Sequence, residues 1–291
     1  MTEQTEMFED KRLSYSSANL LRNCEQKYHH YKVAKTTKDS DSDRDDSHFH
    51  IGTAFHEILE LSMHKKPANI VHDLENCVQA IGLKEEDQGL VHALVLQYLR
   101  HRKMDDFEAV VCEHKINDEN IIGYIDLVEK RPNGDWCISD LKTAATFYEN
   151  KVAELARDRQ LNLYGSYYKE IAKIYDLDPD KFIGCRYLVT SKSKAKQQKK
   201  ETYSEYVMRM VNKKLVRSYA IFIPKELMTL DEVKSEHLEL HKKSMSLRSG
   251  EVPEKNYTYC MSYFRPCDYW SKCHGFEHSA LSPKIQIQAI K

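Results

Sequence analysis

The sequence has little glycine and proline and no long hydrophobic run. Its 291 residues include 9 glycines and 7 prolines, which leaves little material for low-complexity linkers. No stretch of about 18 consecutive apolar residues is present, so no membrane-spanning helix is expected. The first residues are polar and lack the apolar stretch and small-residue cleavage site of a secretory signal. These absences predict a soluble protein of the cytoplasm.

An excess of charge of either sign is also absent. Lys and Arg number 44 and Asp and Glu number 45, so the formal charge is −1. This balance excludes a globally basic nucleic-acid coat protein and an acidic disordered tail. With 41% hydrophobic and 10% aromatic residues, the chain has enough apolar material for a large core. We therefore expect one domain over 1–291.

The hydrophobic spacing changes along the chain and predicts a mixed α/β fold. Apolar residues recur at helical spacing in the first third of the chain, and short β-branched runs follow. Helices are predicted over 16–33, within 51–102, and over 148–176 and 230–248, and a solvated loop over 36–50. Strands are predicted over 107–116, 121–130, 135–144, 182–191 and within 206–224. The expected parts are an N-terminal helical part over 16–105, a core over 106–225 and a C-terminal helix with a cysteine-rich segment over 226–291.

Two aspartates and a lysine carry the chemistry that the sequence indicates. Asp126 and Asp140 lie on adjacent predicted strands, and Lys142 shares a strand face with Asp140 because it follows two residues later. Charged groups on apolar strands are costly to bury unless they bind something. Carboxylates, together with the backbone carbonyl of Leu141, suit Mg²⁺ or Mn²⁺. The alternative is an unrelated pair of surface aspartates with a solvated lysine.

Four short motifs in a fixed order reduce the weight of that alternative. They are G-T-A-F-H over 52–56, G-Y-I-D over 123–126, D-L-K over 140–142 and Q-L-N-L-Y over 160–164. Together they resemble the RecB-like branch of the PD-(D/E)XK nuclease superfamily. The resemblance implies a restriction-endonuclease-like core, a mixed central sheet flanked by helices, with an N-terminal helical insertion. It also implies the site residues: His56, Asp126 and Asp140 for the cation, these three with Lys142 for catalysis, and Gln160 and Tyr164 for DNA.

The eight cysteines divide into two groups. Cys77, Cys112, Cys137 and Cys185 lie in apolar runs and are read as core residues. The other four are Cys24, before the motifs, and Cys260, Cys267 and Cys273, after them. In iron-sulfur members of the resembled branch, one cysteine before the core and three after it hold a 4Fe-4S cluster. Phe264 stands where the commonest version has its second cysteine, so zinc is kept as the alternative at this site.

Two further segments are candidate DNA contacts. The run over 191–200 contains five lysines and no acid, and Lys192, Lys194 and Lys196 are its candidate phosphate contacts. The aromatic residues near the cysteines are candidates for stacking on unpaired bases. A solvated lysine loop and an aromatic shell around the cluster are equally compatible with these compositions.

The function implied by the resemblance is a Mg²⁺- or Mn²⁺-dependent DNA exonuclease of recombination, repair or phage DNA processing. Phage and CRISPR-adaptation nucleases are the resembled proteins of similar size, and they place the chain in a bacterial or phage-infected cell. The substrate would be single-stranded or end-containing DNA. No phosphate-binding loop of an ATPase is present, so a helicase or recombinase would be a separate partner. Two alternatives remain: a non-catalytic DNA-binding or assembly subunit with the nuclease fold, and a redox-responsive DNA-binding protein.

Overall fold

The fold is described from a computed structural model of residues 11–38, 47–64, 83–144, 155, 157–262 and 265–275. The chain divides into two compact units, and each is made of separate segments. The first unit comprises 1–44, 117–123 and 235–291, and the second comprises 45–116 and 124–234. In the described part of the chain, no helix combines the length and the apolar character needed to cross a membrane. The domain boundaries expected from the sequence stay predictions.

A mixed β-sheet is the main scaffold. Its strands are β1 (Leu13–Ser14), β2 (Glu108–Asn117), β3 (Ile121–Lys130), β4 (Trp136–Ala144), β5 (Phe182–Ser191) and β6 (Arg217–Pro224). The strand order is β1-β3-β4-β5-β6, and β2 also pairs with β3. The β3–β4 and β5–β6 pairs are antiparallel, whereas β1–β3 and β4–β5 are parallel. This mixed sheet with its helices confirms the predicted α/β class.

Helices cover the sheet of the second unit. They are α3 (Ser47–His64), α4 (Glu85–Arg102), α5 (Arg159–Gly165), α6 (Tyr168–Ile174) and α7 (Tyr203–Asn212). One apolar cluster joins α3, α4 and α7 to the sheet and includes Phe55, Leu94, Leu141 and Val207. Leu141 lies in this cluster, while its neighbours Asp140 and Lys142 alternate to the other side of the strand.

The first unit is built from α1 (Tyr15–Asn23), α2 (Glu25–Tyr28), α8 (Leu230–Arg248) and α9 (Trp270–His274), with a π-helical turn over His29–Val33. A small hairpin of β7 (Met261–Ser262) and β8 (Arg265–Pro266) precedes α9. Contacts between distant segments hold this unit together. His237 bonds the Leu13 carbonyl at 2.9 Å, and Arg22 bonds Glu236 at 2.8 Å.

Strand-like structure is predicted within 206–224, and the protein has a strand only in the second part of this segment. Residues Tyr203–Asn212 form helix α7, and only Arg217–Pro224 form a strand. Thr202 and Glu205 make a reciprocal capping box that starts the helix. Tyr206, Val207, Met210 and Val211 are buried at helical spacing, so the apolar content that suggested a strand lies on one helix face.

Three other boundaries differ from the prediction. The helix expected over 16–33 is interrupted at Cys24, whose backbone is extended with φ −164° and ψ 112°. The helix expected over 148–176 is interrupted twice within the described residues. Leu155 is helical, but a new helix begins at Arg159, where the Asp158 carboxylate accepts the Leu161 N–H, and this helix ends at Gly165. The loop expected over 36–50 is wrong for 47–50, since α3 reaches back to Ser47. The helix predicted within 69–82 lies outside the described residues.

A buried network of charges lies within the second unit, on the sheet face of Ser139 and Arg186. Arg186 contacts Asp105 at 2.5 Å and Glu129 at 3.5 Å, and Arg102 contacts Glu129 at 2.6 Å. Ser139 donates a further hydrogen bond to Glu129. Charges this deeply buried are tolerated only when each has a partner. The network therefore fixes the positions of β3, β4 and β5 relative to the end of α4.

We predict that Arg186→Met lowers the free energy of unfolding by about 3 kcal/mol, because it leaves Asp105 and Glu129 as uncompensated buried acids. Urea unfolding measures the change. Lys242→Met is the matched control, because its pair with Glu239 is exposed. The control should change stability by less than about 1 kcal/mol. An Arg186→Met midpoint equal to that of the wild type would contradict the structural role of the network.

Candidate active site

Two aspartates meet where the paired part of β3 and β4 ends. Leu127 pairs with Ser139 in the antiparallel register, so Asp126 and Asp140 occupy the next positions along the two strands. The Leu141 N–H donates a hydrogen bond of 2.6 Å to Asp126 Oδ2. The strand pairing therefore positions both carboxylates and holds one of them through the backbone of the other strand.

Lys142 compensates the charge of Asp140. Its Nζ lies 2.9 Å from Asp140 Oδ2 and 3.2 Å from Oδ1. Burial raises the pKa of Asp140 well above its usual range, and the Lys142 charge opposes this only in part. Burial lowers the pKa of Lys142, but Asp140 and Asp126 outweigh it and raise that pKa. Lys142 therefore stays protonated at neutral pH and is a hydrogen-bond donor in the site.

Helix α3 brings His56 to the aspartates. His56 Nδ1 lies 3.6 Å from Asp126 Oδ1. Burial lowers the pKa of His56, but the contact with Asp126 and the charge of Asp140 raise it overall. Ile51, Ala54, Phe55 and Ile58 are buried on the same helix, so the packed face of α3 fixes where His56 lies.

Glu113 on β2 joins this group, and the sequence reasoning missed it. Ligand atoms of His56, Glu113 and Asp126 all lie within 4.8 Å of one another. Glu113 has φ of 52°, a left-handed conformation that non-glycine residues rarely adopt. Burial raises the pKa of Glu113, and Asp126 and Glu60 raise it further. The only available signal was one acid inside the apolar run A-V-V-C-E, which also fits an exposed strand position.

The donor set suits a divalent cation. Carboxylate oxygens are the ligands that Mg²⁺ and Mn²⁺ prefer, and one imidazole nitrogen completes the set. Asp140 Oδ2 is buried and has an ion-pair contact but no hydrogen bond. Lys142 Nζ already contacts this oxygen, while Glu113 and Asp126 supply the carboxylate oxygens of the closest donor group. Asp140 lies outside the tightest group of three, and the predicted role of the Leu141 carbonyl stays a prediction.

Gln160 and Tyr164 lie next to Lys142, one helical turn apart on α5. Gln160 Oε1 accepts a hydrogen bond of 3.1 Å from Lys142 Nζ, and Gln160 Nε2 donates to Tyr164 Oη at 3.4 Å. Tyr164 is only 6% exposed. Gln160 thus orients Lys142 directly, and the DNA contacts predicted for these two residues stay predictions.

An open cavity of about 680 Å³ leads to these groups. It is lined by Gly52, Thr53, His56, Glu57, Glu60, Glu113, Lys142, Thr143 and Lys192. Lys192 is therefore the member of the lysine-rich run that borders the site, and burial lowers its pKa. Lys194 and Lys196 are exposed, and no strand or helix forms over 192–200.

The four cysteines singled out by their spacing converge within the first unit. Burial raises the pKa of Cys260, and the nearby thiols of Cys24 and Cys267 contribute. Burial also raises the pKa of Cys273 to about 11, again with contributions from Cys267 and Cys24. The Cys267 N–H donates to the Cys260 carbonyl at 2.8 Å, which folds the C-terminal loop on itself. None of the described cysteines forms a disulfide.

The remaining cysteines and the aromatic residues near the C-terminal cysteines differ in how deeply they are buried. Cys137 and Cys185 are buried as predicted, Cys112 is half-buried, and Cys77 lies outside the described residues. In the tail, Tyr269 is buried and stacks on His30 at 5.3 Å between ring centroids. Tyr257 and Tyr259 are exposed, so they are available for stacking, whereas Tyr269 is not. Tyr263 and Phe264 lie outside the described residues.

Comparison with known protein families finds a match that covers most of the chain. The model of the PD-(D/E)XK nuclease superfamily matches residues 12–274, which is most of the chain. A search of curated proteins gives no match.

We predict that Asp140→Asn stabilises the metal-free protein at pH 8 by about 1–2 kcal/mol. A carboxyl whose pKa is raised on folding contributes stability that is complete below the ordinary pKa of aspartate and lost as pH rises through the folded pKa. The neutral amide avoids that loss, so the advantage of the variant grows between pH 5 and pH 8. Urea unfolding in EDTA measures it.

The exposed Asp180 provides the matched control, and Asp180→Asn should show no such pH dependence. Added MgCl2 should stabilise the wild type more than Asp140→Asn, because a bound cation favours the folded state that holds it. A variant no more stable than the wild type in EDTA at pH 8 would show that the Asp140 charge is already compensated by Lys142.

Proposed function

Because the chain belongs to the PD-(D/E)XK nuclease superfamily, whose members are metal-dependent nucleases, we propose that it is a Mg²⁺- or Mn²⁺-dependent DNA exonuclease of the RecB-like branch. One observation carries the proposal. Lys142 lies between Asp140 and Gln160, beside a group of ligands made by His56, Glu113 and Asp126. This arrangement supports phosphodiester hydrolysis better than simple DNA binding, because binding alone requires no buried acids.

The acidic groups and His56 would hold the cation. His56, Glu113 and Asp126 supply the closest set of donor atoms, and Asp140 supplies a buried oxygen without a hydrogen bond. When bound, the cation polarises a phosphoryl oxygen and lowers the pKa of a coordinated water. The Leu141 N–H that bonds Asp126 keeps this carboxylate in place before substrate arrives.

Lys142 would contact the scissile phosphate or its attacking water. Its protonated Nζ donates hydrogen bonds, and a positive donor at this point stabilises the charge that develops on the phosphoryl oxygens. Gln160 limits the directions that Lys142 can take. Asp140 keeps Lys142 charged and close, so the three side chains act as one unit.

The DNA substrate and the exonuclease action follow from the resemblance, and the cavity is compatible with them. Lys192 borders the cavity and provides a positive charge for the phosphate backbone. We propose single-stranded or end-containing DNA as the substrate, with recombination, repair or phage DNA processing as the setting. A helicase or recombinase partner belongs to the same proposal.

A 4Fe-4S cluster held by Cys24, Cys260, Cys267 and Cys273 is the second part of the proposal. Thiolates are the ligands of such clusters, and the mutual influence of these four thiols on pKa supports their convergence. The four cysteines are split across the whole core and are not paired as two C-x2-C knuckles, and for that reason we prefer a cluster to a zinc ion.

The nuclease proposal predicts that Lys142→Ala lowers kcat for DNA cleavage by about 100-fold or more, because it removes a donor that acts on the transition state. End-labelled linear and closed circular DNA, each single- and double-stranded, are incubated with MgCl2 or MnCl2. Binding is measured separately by anisotropy and should change little.

Lys181→Ala is the control for the loss of a lysine, since Lys181 Nζ donates a hydrogen bond to the Asn133 carbonyl near the far end of β4, away from the candidate site. Cleavage of linear DNA alone supports an exonuclease, and cleavage of circles as well would replace it with an endonuclease. Lys142→Ala with wild-type turnover would remove the catalytic assignment and favour a DNA-binding subunit.

The cluster proposal predicts that Cys267→Ala, purified without oxygen, loses iron and acid-labile sulfide and unfolds at a lower temperature. Cys112→Ala, in the other unit, is the control and should keep its full iron content. Zinc in place of iron in the wild type would show that the four thiols form a zinc site. A normal iron content in Cys267→Ala would show that this thiol is not a ligand.

A further inference from the structure

A second cavity lies within the first unit, among residues that the proposed chemistry does not use. Its volume is about 270 Å³, and the described residues around it include Arg12, Lys32 and Arg248. None of its eight described lining residues is acidic. We name it the cationic pocket, defined by Arg12, Lys32 and Arg248 with Ser14 and Ser17.

The three cations come from separate parts of the chain. Arg12 precedes β1, Lys32 lies in the π-helical turn, and Arg248 is the last residue of α8. All three are partly buried. Three cationic side chains from separate segments, with no acid among the described lining residues, make the pocket suited to a negatively charged ligand.

Hydroxyl donors complete the polar wall. Ser14 Oγ donates to Ser17 Oγ at 3.0 Å and accepts the Ser17 N–H, which leaves the Ser17 hydroxyl proton for another acceptor. Ser14 also caps α1, whose first turn contains no acid to oppose an incoming anion. Guanidinium, ammonium and hydroxyl groups are all donors, and phosphate oxygens are the matching acceptors.

The volume of the pocket and its apolar lining residues restrict the kind of ligand that it can hold. The volume falls just below the range of about 300–1,000 Å³ that is usual for whole small-molecule ligands. Leu13, Tyr28 and Ile122 form an apolar wall beside the charges. A phosphate with part of its sugar fits this combination better than a large cofactor does.

We propose that the cationic pocket binds a phosphate group of the DNA strand on which the protein acts. The proposal rests on the proposed function for the identity of the polymer. It assigns Arg12, Lys32 and Arg248 to DNA binding and not to the chemical step. Their loss therefore weakens affinity and leaves kcat at saturating DNA unchanged.

The test uses the full chain in the Asp140→Asn background with EDTA, so that DNA is bound and not cut. Single-stranded oligonucleotides with a 5′-phosphate or a 5′-hydroxyl are titrated by anisotropy across a range of salt concentrations. Lys32→Gln and Arg248→Gln are compared with Lys242→Gln, which removes an exposed charge from the same unit. Thermal unfolding and iron content verify that each variant is intact, and Lys32→Gln changes the pocket least.

Each pocket variant should weaken binding about fourfold at 0.15 M salt and reduce the slope of log K against log salt by about 0.7. Equal losses for both oligonucleotides support an internal phosphate in the pocket, and a loss confined to the 5′-phosphate supports a terminal one. Pocket variants that bind DNA like Lys242→Gln overturn the proposal while the nuclease assignment stands. A protein that binds no DNA overturns both.

A titration with inorganic phosphate distinguishes free phosphate from a phosphate group of DNA as the anion that the pocket binds. If 10 mM phosphate raises the melting temperature of the wild type but not of Lys32→Gln, while DNA affinity is the same for both, the pocket holds free phosphate and the proposal is wrong. Competition between phosphate and DNA that disappears in the variants supports it.

Discussion

The constraint on which the site depends is the cost of burying negative charge at the end of β3 and β4. Asp126 lies close to both Asp140 and Glu113, and its charge adds to the effect of burial in raising the pKa of each of these two acids. The Leu141 N–H, Lys142 and His56 provide partial compensation. These groups come from β4 and α3, and the acids come from β2, β3 and β4, so the strand register and the packing of α3 are both required for the site to exist. A divalent cation would complete the compensation.

The buried charge network around Arg186 differs from the candidate site, because its acids are compensated by arginines without any ligand. Arg102 and Arg186 face Asp105 and Glu129, two cations against two acids, with Ser139 adding a donor. That network balances itself and serves to fix the sheet. At the candidate site the acids Asp126, Asp140 and Glu113 outnumber the cationic groups, and the backbone of Glu113 is strained. Local imbalance of this kind is stable only because the surrounding fold holds it, and it is typical of functional sites.

The first unit shows how residues far apart in sequence form one structure. Its segments come from both ends of the chain and from 117–123 between β2 and β3. Asn256 bonds the Asn23 carbonyl, and the Gln26 N–H bonds the Glu254 carbonyl, so the residue ranges around Cys24 and Cys260 are tied by direct contacts. The extended backbone at Cys24 interrupts the helix where this thiol turns toward the others. The same unit gathers the three cations of the second cavity, although none of them belongs to a recognisable motif.

The sequence by itself determined the α/β class, the strands that carry Asp126 and Asp140, and the shared face of Asp140 and Lys142. These features depend on the spacing of residues along one strand. Side chains alternate between the two faces of a strand, so the spacing shows which residues share a face. The sequence did not distinguish helix from strand over 203–212, because a short apolar run is compatible with both. In the folded protein, the cap at Thr202 and the burial of one face show that the segment is a helix. Glu113 and the cationic pocket depended on the tertiary structure alone. Glu113 reaches His56 and Asp126 only through the packing of β2, β3 and α3, and Arg12, Lys32 and Arg248 meet only when three distant segments fold together.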